Sequence, residues 1–187
     1  MKKLSVLMLM LLIKNVCSAQ TETTPIVEKS IYGVQTGLFG VWIYNESKLS
    51  SKSTLRTEIG LDGGYSYGSN DSPKSQYFML PSLSLEPRWY YNFKNRIKDG
   101  KFIDNNSGNF LSLKSRFTPD LFVITNSNVK KYSSEFALIP SWGIRRYLGG
   151  NFDFETRLGL GYGFVFEKRN NSNGWLLDLS VRFGYSF

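Results

Sequence analysis

Histidine is absent from the 187 residues, and cysteine occurs once, at Cys17. Without histidine, a serine nucleophile activated by an imidazole base cannot be built. With one cysteine, so near the start, the body of the chain has neither a disulfide nor thiol chemistry. Long apolar runs are missing beyond residue 19. The longest uncharged stretch, Ser30 to Asn45, is diluted by Gly33, Gln35, Thr36, Gly37 and Gly40, which excludes a spanning helix. Proline is scarce, at six residues, yet Pro81, Pro87 and Pro140 fall inside expected strands. Each removes a ladder hydrogen bond, so bulges or rim positions are expected there.

Aromatic residues and glycine are plentiful: 11 Tyr, 14 Phe and 17 Gly. Aromatics pack on pleated faces and glycine relieves tight corners, so a chain long enough for one domain is expected to be all-β. Its start has the form of a signal peptide over residues 1–19. A charged Met1-Lys2-Lys3 precedes the apolar Leu4 to Ile13, and Cys17-Ser18-Ala19 supplies small residues before Gln20. Acylation at Cys17 fits poorly, because Lys14, Asn15 and Val16 precede it. A short segment, 20–30, then leads into a barrel over 31–187. Removing Lys2, Lys3 and Lys14 with the leader lowers the formal net charge from +8 to +5. For an exported chain this basic balance suits anionic lipid headgroups and not nucleic acid.

Strict alternation is the dominant pattern. In a strand, successive side chains point to opposite faces. Trp175, Leu177, Leu179, Val181, Phe183, Tyr185 and Phe187 form one face, and Leu176, Asp178, Ser180, Arg182, Gly184 and Ser186 the other. Phe152 to Phe166 alternates in the same way with Asp153, Glu155, Arg157, Gly159, Gly161 and Gly163 after a Gly-rich turn at 149–151. Leu55 to Tyr65 and Leu83 to Tyr91 repeat it. Weaker strands are expected at 31–44, which is apolar on both faces, and at 109–117, 120–126 and 135–147. With Thr118-Pro119-Asp120 as a turn, this makes eight antiparallel strands of an up-and-down transmembrane barrel. An unsplit chain gives seven. If both chain ends are periplasmic, the loops 45–53, 93–107, 127–132 and 167–174 lie outside the cell, and 68–76, 118–120 and 149–151 in the periplasm. A secreted β-sandwich would alternate too. Strands of about ten residues, the span of a tilted membrane strand, favour the barrel.

The ending Leu179-Ser180-Val181-Arg182-Phe183-Gly184-Tyr185-Ser186-Phe187 resembles the C-terminal recognition signal of outer-membrane barrels. That resemblance implies an assembly signal in Val181, Phe183, Tyr185 and Phe187, read by the barrel-assembly machinery. In size and repeated hairpins the chain resembles small barrels of the OmpA/OmpX type. Glu86-Pro87-Arg88-Trp89-Tyr90-Tyr91-Asn92 and Pro140-Ser141-Trp142-Gly143-Ile144-Arg145-Arg146 are similar to segments of uncharacterised small outer-membrane barrels, a likeness that transfers no activity.

The polar face collects Arg56, Arg88, Lys114, Arg116, Arg145, Arg157 and Arg182 with Glu58, Asp62, Glu86, Asp153, Glu155 and Asp178. A mutually paired polar core is the preferred reading, since eight strands leave a lumen just wide enough for side chains to fill. An ion or solute path is the alternative. Asp153 and Glu155 could do acid/base work or bind a hard cation, but Arg157 on the same face suggests ion pairing. Gly159-Leu160-Gly161-Tyr162-Gly163 lacks the helix and Lys-Ser/Thr of a phosphate loop, so the glycines are expected to make room beside Arg or Tyr. Trp42, Tyr44, Tyr65, Tyr67, Trp89, Tyr91, Trp142 and Trp175 are expected in headgroup belts. Lys94, Arg96, Lys98 and Lys101 make 93–107 either a solvated loop or a contact for lipopolysaccharide phosphates.

The expected function is that of a non-enzymatic outer-membrane barrel serving membrane integrity or surface interaction. A narrow channel and a carboxylate-based lipid- or peptide-modifying enzyme are the alternatives. Outer-membrane lipids and lipopolysaccharide are the expected partners, and no cofactor or metal is expected.

Overall fold

The alternating segments pair into one antiparallel sheet whose two ends meet. The computed structural model describes residues 27–66, 75–126, 133–167 and 172–187. Within them the strands are β1 (Ser30–Gly37), β2 (Gly40–Lys48), β3 (Ser53–Ser66), β4 (Gln76–Tyr90), β5 (Asn109–Thr118), β6 (Ile124–Thr125), β7 (Ser134–Gly149), β8 (Phe152–Phe166) and β9 (Ser172–Ser186). Eight of them close a ring in the order β1-β2-β3-β4-β5-β7-β8-β9, with β9 returning to β1. One short helix, α1 (Phe93–Lys98), and a 3₁₀ turn at Asp104–Asn106 lie between β4 and β5.

Eight wall strands were expected, but two of them are drawn from different residues. The segment 31–44 is not one strand: it folds back at Leu38 and Phe39 into β1 and β2. The turn has no polar residue to announce it. Gly40 makes it feasible, at φ 154°, where a β-carbon would collide with the Leu61 carbonyl and the Trp42 ring. Conversely, 120–126 is not a wall strand. Only Ile124 and Thr125 pair, with Met79 and Phe78 at the top of β4.

The inserted hairpin changes which loops share a rim. Ser30 and Phe187 lie at one rim, with the 49–52 loop, the 91–108 connection and the 149–151 turn. The connections after β3, β5 and β8 leave from the opposite rim, together with the Leu38–Phe39 turn. The expectation that grouped 45–53 and 93–107 with 127–132 and 167–174, and 68–76 with 149–151, is therefore overturned.

No bulge accompanies the prolines. Pro81 and Pro87 pair in register with Leu61 and Leu55 of β3. The β4–β5 ladder stops at Leu85 and resumes at Arg88 in unchanged register, stepping over Pro87. The β7–β8 ladder likewise steps over Pro140, between Leu138 and Ser141. Pro81 lies beyond the last β5 partner, at Leu83. Each missing N–H thus coincides with a break in the ladder on one side only.

The register also sets the width. Gly33 pairs directly with Ser186. Followed the other way round the ring, Gly33 leads through Tyr44, Glu58, Ser84, Arg116, Ala137 and Gly163 to Gly174, a stagger of twelve residues along β9. For a given number of strands, larger stagger means strands tilted further from the barrel axis and a wider interior.

The two faces of the wall are chemically opposite. On β9 and at Phe187 just after it, Trp175, Leu177, Leu179, Val181, Phe183, Tyr185 and Phe187 are all exposed, from 41% to 76%. The inward neighbours Arg182, Gly184 and Ser186 are buried. The four residues expected to signal assembly therefore all lie on the outer face. At the rim that holds Phe187, outward Tyr32, Trp89, Tyr91, Phe152 and Tyr185 are exposed; near the other, Tyr77, Phe166 and Trp175 are. Trp42 and Tyr44 depart from the expected belt, because the β1–β2 turn sends them inward, where they are buried. Tyr67 and the side chain of Tyr65 lie outside the described residues. Val27, Tyr90, Phe93 and Phe110 form an apolar cluster under Ile103 that seals the Phe187 rim.

Candidate functional site: the lumen

Next to that seal, β2 contributes Tyr44 and Glu46, placed inward by the same alternation that points Val41 and Ile43 out. Glu46 is fully buried. Its Oε1 accepts hydrogen bonds from Thr54 Oγ1 (2.9 Å), Tyr90 OH (2.8 Å) and Asn106 Nδ2 (2.8 Å). Its Oε2 accepts from Arg145 Nη1 (3.0 Å) and lies 3.6 and 3.7 Å from Arg88 and Arg56. Asp153 holds the other side of Arg145 at 3.0 Å and accepts from Gln35 Nε2 and Ser186 Oγ. The 3₁₀ turn thus ties the 91–108 connection to the lumen through Asn106, which also accepts from the Glu28 amide.

One level further in, Arg88 grips Glu155 with both terminal nitrogens (2.9 and 2.8 Å) and donates to Glu86 (2.9 Å). Arg56 donates to Glu58 (2.7 Å) and Gln35. Arg182 clamps both oxygens of Glu58 at 2.8 and 3.1 Å. Rings support the guanidinium planes: Arg56 over Tyr44 and Arg182 over Trp42, each at 3.6 Å. Buried charges are expensive alone, and here each carboxylate of the lower half, the half nearer Phe187, meets at least one guanidinium.

Toward the other rim the network thins. Arg157 donates to Glu86 (3.0 Å) and approaches Asp178 at 3.4 Å. Lys114 reaches Asp178 only at 4.0 Å. Arg116 pairs with Glu135 (2.8 Å) and lies 4.0 Å from Asp62, which accepts from the Trp42 indole. A cavity of about 450 Å³ opens here.

All thirteen charged residues singled out in the sequence face this lumen. Arg157, however, does not pair with Asp153 or Glu155; strand stagger carries it to Glu86 and Asp178 instead. Glu46, Gln35, Tyr44 and Glu135 are network members that sequence reasoning missed. Continuing the alternation Trp42-Tyr44-Glu46 would have found Glu46, once the turn at Leu38 was recognised. Gly159 and Gly161 make room for Ser141 and Ile139, and not for Arg or Tyr. In the 91–108 connection, Arg96 is spent on the Phe102 carbonyl (2.7 Å) at the same rim as Phe187.

Among the described residues, each carboxylate of the half of the lumen nearer Phe187 is paired with a guanidinium, and no three His, Cys, Asp or Glu side chains converge as a metal site. No protein-family model matches the chain, and no curated protein or solved structure matches it significantly.

Proposed function

We propose that this chain is an integral outer-membrane β-barrel, exported by a cleaved leader and inserted by the barrel-assembly machinery. It works without catalysis or conduction, serving membrane integrity or surface interaction among outer-membrane lipids and lipopolysaccharide. The observation that carries the reading is the inversion of polarity. Arg56, Arg88 and Arg145 are wholly buried, while large apolar side chains cover the outside. Water would favour the opposite arrangement, and hydrocarbon favours this one.

The interlocked lower half speaks against the channel, and the engagement of every carboxylate there against the enzyme. If 49–52, 91–108 and 149–151 share the periplasmic side with Phe187, the basic residues of 93–107 face away from lipopolysaccharide. Surface contact then belongs to the opposite rim.

The purified protein is expected to need detergent, to migrate differently on gels before and after boiling, and to leave planar bilayers electrically silent. Recovery as a freely dissolved protein would overturn the membrane reading. Discrete conductance steps would overturn the closed lumen.

A further inference from the structure

The wall is not equally tall all round. β3, β4, β7, β8 and β9 have 14 to 16 residues, but β1 has 8 and β2 has 9. β9 meets β1 only from Arg182 to Ser186, so its edge from Ser172 to Val181 has no strand partner on that side among the described residues. Across the gap, β3 runs on past Asp62, its last β2 partner, to Ser66. The short β5 is topped by β6, whereas no described strand tops the β1–β2 hairpin. The result is a notch in the wall above Leu38 and Phe39.

The 450 Å³ cavity lies in this notch and breaks through the wall. Leu179 and Val181 point outward, at 69% and 41% exposure, yet border it together with Leu38 and Phe39. Its inner wall carries four cations, Lys114, Arg116, Arg157 and Arg182, against two carboxylates, Asp62 and Asp178. Arg182 meets Glu58 through Nη1 and Ser180 through Nε, and Arg116 meets Glu135 through Nη2 but leaves its Nε unbonded. Arg157 is the least satisfied of the three: it is 2% exposed, and both its Nε and its Nη2 lack a hydrogen-bond partner. Lys114 is as deeply buried, and its one ion pair among the described residues is the 4.0 Å approach to Asp178. Lys114 and Arg157 thus share Asp178, whose Oδ2 is itself without a hydrogen bond, and Arg157 also pairs with Glu86 through its other terminal nitrogen.

We propose that the notch binds an anionic amphiphile, a carboxylate or phosphate head on an acyl chain, that enters sideways from the membrane. The head lies between Lys114 and the Nε–Nη2 edge of Arg157, which has only the 3.4 Å approach of Asp178 and no hydrogen bond, and an oxyanion supplies the missing acceptors. The chain leaves through the gap between β9 and the Leu38–Phe39 turn, into hydrocarbon. The unpaired β9 edge fits the same picture. At membrane depth, irregular backbone is tolerated only when covered or beside a polar, water-filled cavity. The proposal rests on the membrane reading of the wall.

The test is native mass spectrometry of the intact barrel released from nonionic detergent, with added palmitate, dodecyl phosphate, hexadecanol or inorganic phosphate. The expected result is one palmitate or dodecyl phosphate per barrel. Lys114→Gln should weaken binding about tenfold, the loss of one charge-assisted contact. Lys101→Gln, at the far rim and ion-paired with exposed Asp99, should leave it unchanged. Hexadecanol binding as tightly as palmitate, inorganic phosphate binding as tightly as dodecyl phosphate, or Lys114→Gln without effect would each overturn the site. The membrane reading fails separately, by solubility without detergent, so the two failures are distinguishable.

Discussion

Replacing Glu46 by Gln keeps its shape and removes the charge that Arg145 meets at 3.0 Å and that Arg56 and Arg88 face at 3.6 to 3.7 Å. The guanidinium groups stay buried with less to balance them. Breaking one side of a buried pair costs about 3–5 kcal/mol, so Glu46→Gln should lower the urea-unfolding free energy of the folded protein by about 3 kcal/mol. Asp99→Asn is the contrast. Its pair with Lys101 is more than half exposed, and surface pairs contribute about 0–1 kcal/mol. Equal effects of the two substitutions would mean that the lower network is not a cooperative unit. At this scale the sequence was legible in type but not in partner. Alternation alone told that Arg157 faces inward. Its pairing with Glu86, 71 positions away, depends on the stagger of strands that no local pattern encodes.

Strands were legible wherever one face was charged and the other apolar, as in β3, β8 and β9. The β1–β2 hairpin was hidden because Trp42 and Tyr44 point inward as aromatic residues, so both faces look apolar and the period-two pattern carries no contrast. Its turn, Leu38–Phe39, lacks the Asn, Asp or Gly centre that marks most two-residue hairpins. Gly40 bears the conformational burden instead. Gly40→Ala should cost about 1–3 kcal/mol, since the new methyl group meets the Leu61 carbonyl in a strained backbone region. Gly150, at φ 58° with nothing within 4 Å, is expected to accept Asn within about 0.5 kcal/mol, because Asn tolerates the left-handed region. Comparing the two variants by unfolding free energy checks the hairpin directly. Gly40→Ala behaving like Gly150→Asn would mean that the turn is not formed as described.

For the whole molecule, eight wall strands came out of the sequence only because the hidden β1–β2 hairpin and the supposed strand at 120–126 offset each other, and the distribution of loops was not legible. One extra hairpin early in the chain reverses the direction of every strand between it and the compensating loss at 120–126. The inversion of polarity, charges inside and apolar side chains outside, belongs to this scale as well, and one pair of measurements separates its two explanations. Leu160 on β8 is outward, 57% exposed, and pairs with Leu177, another outward residue. If this surface lies in hydrocarbon, Leu160→Arg should reduce the free energy of folding into phospholipid vesicles by about 2–4 kcal/mol, the cost of arginine near a bilayer midplane. If the surface faces water, the same change is an ordinary exposed substitution and should stay within about 0.5 kcal/mol. Asn45→Arg on β2, half-buried near the rim that holds Ser30 and Phe187, supplies the depth control. The cost there should fall to about 0–1 kcal/mol, because a long side chain can reach the headgroups. A large penalty at Leu160 with a small one at Asn45 requires a medium that changes with height along the wall, which a bilayer provides and bulk water does not.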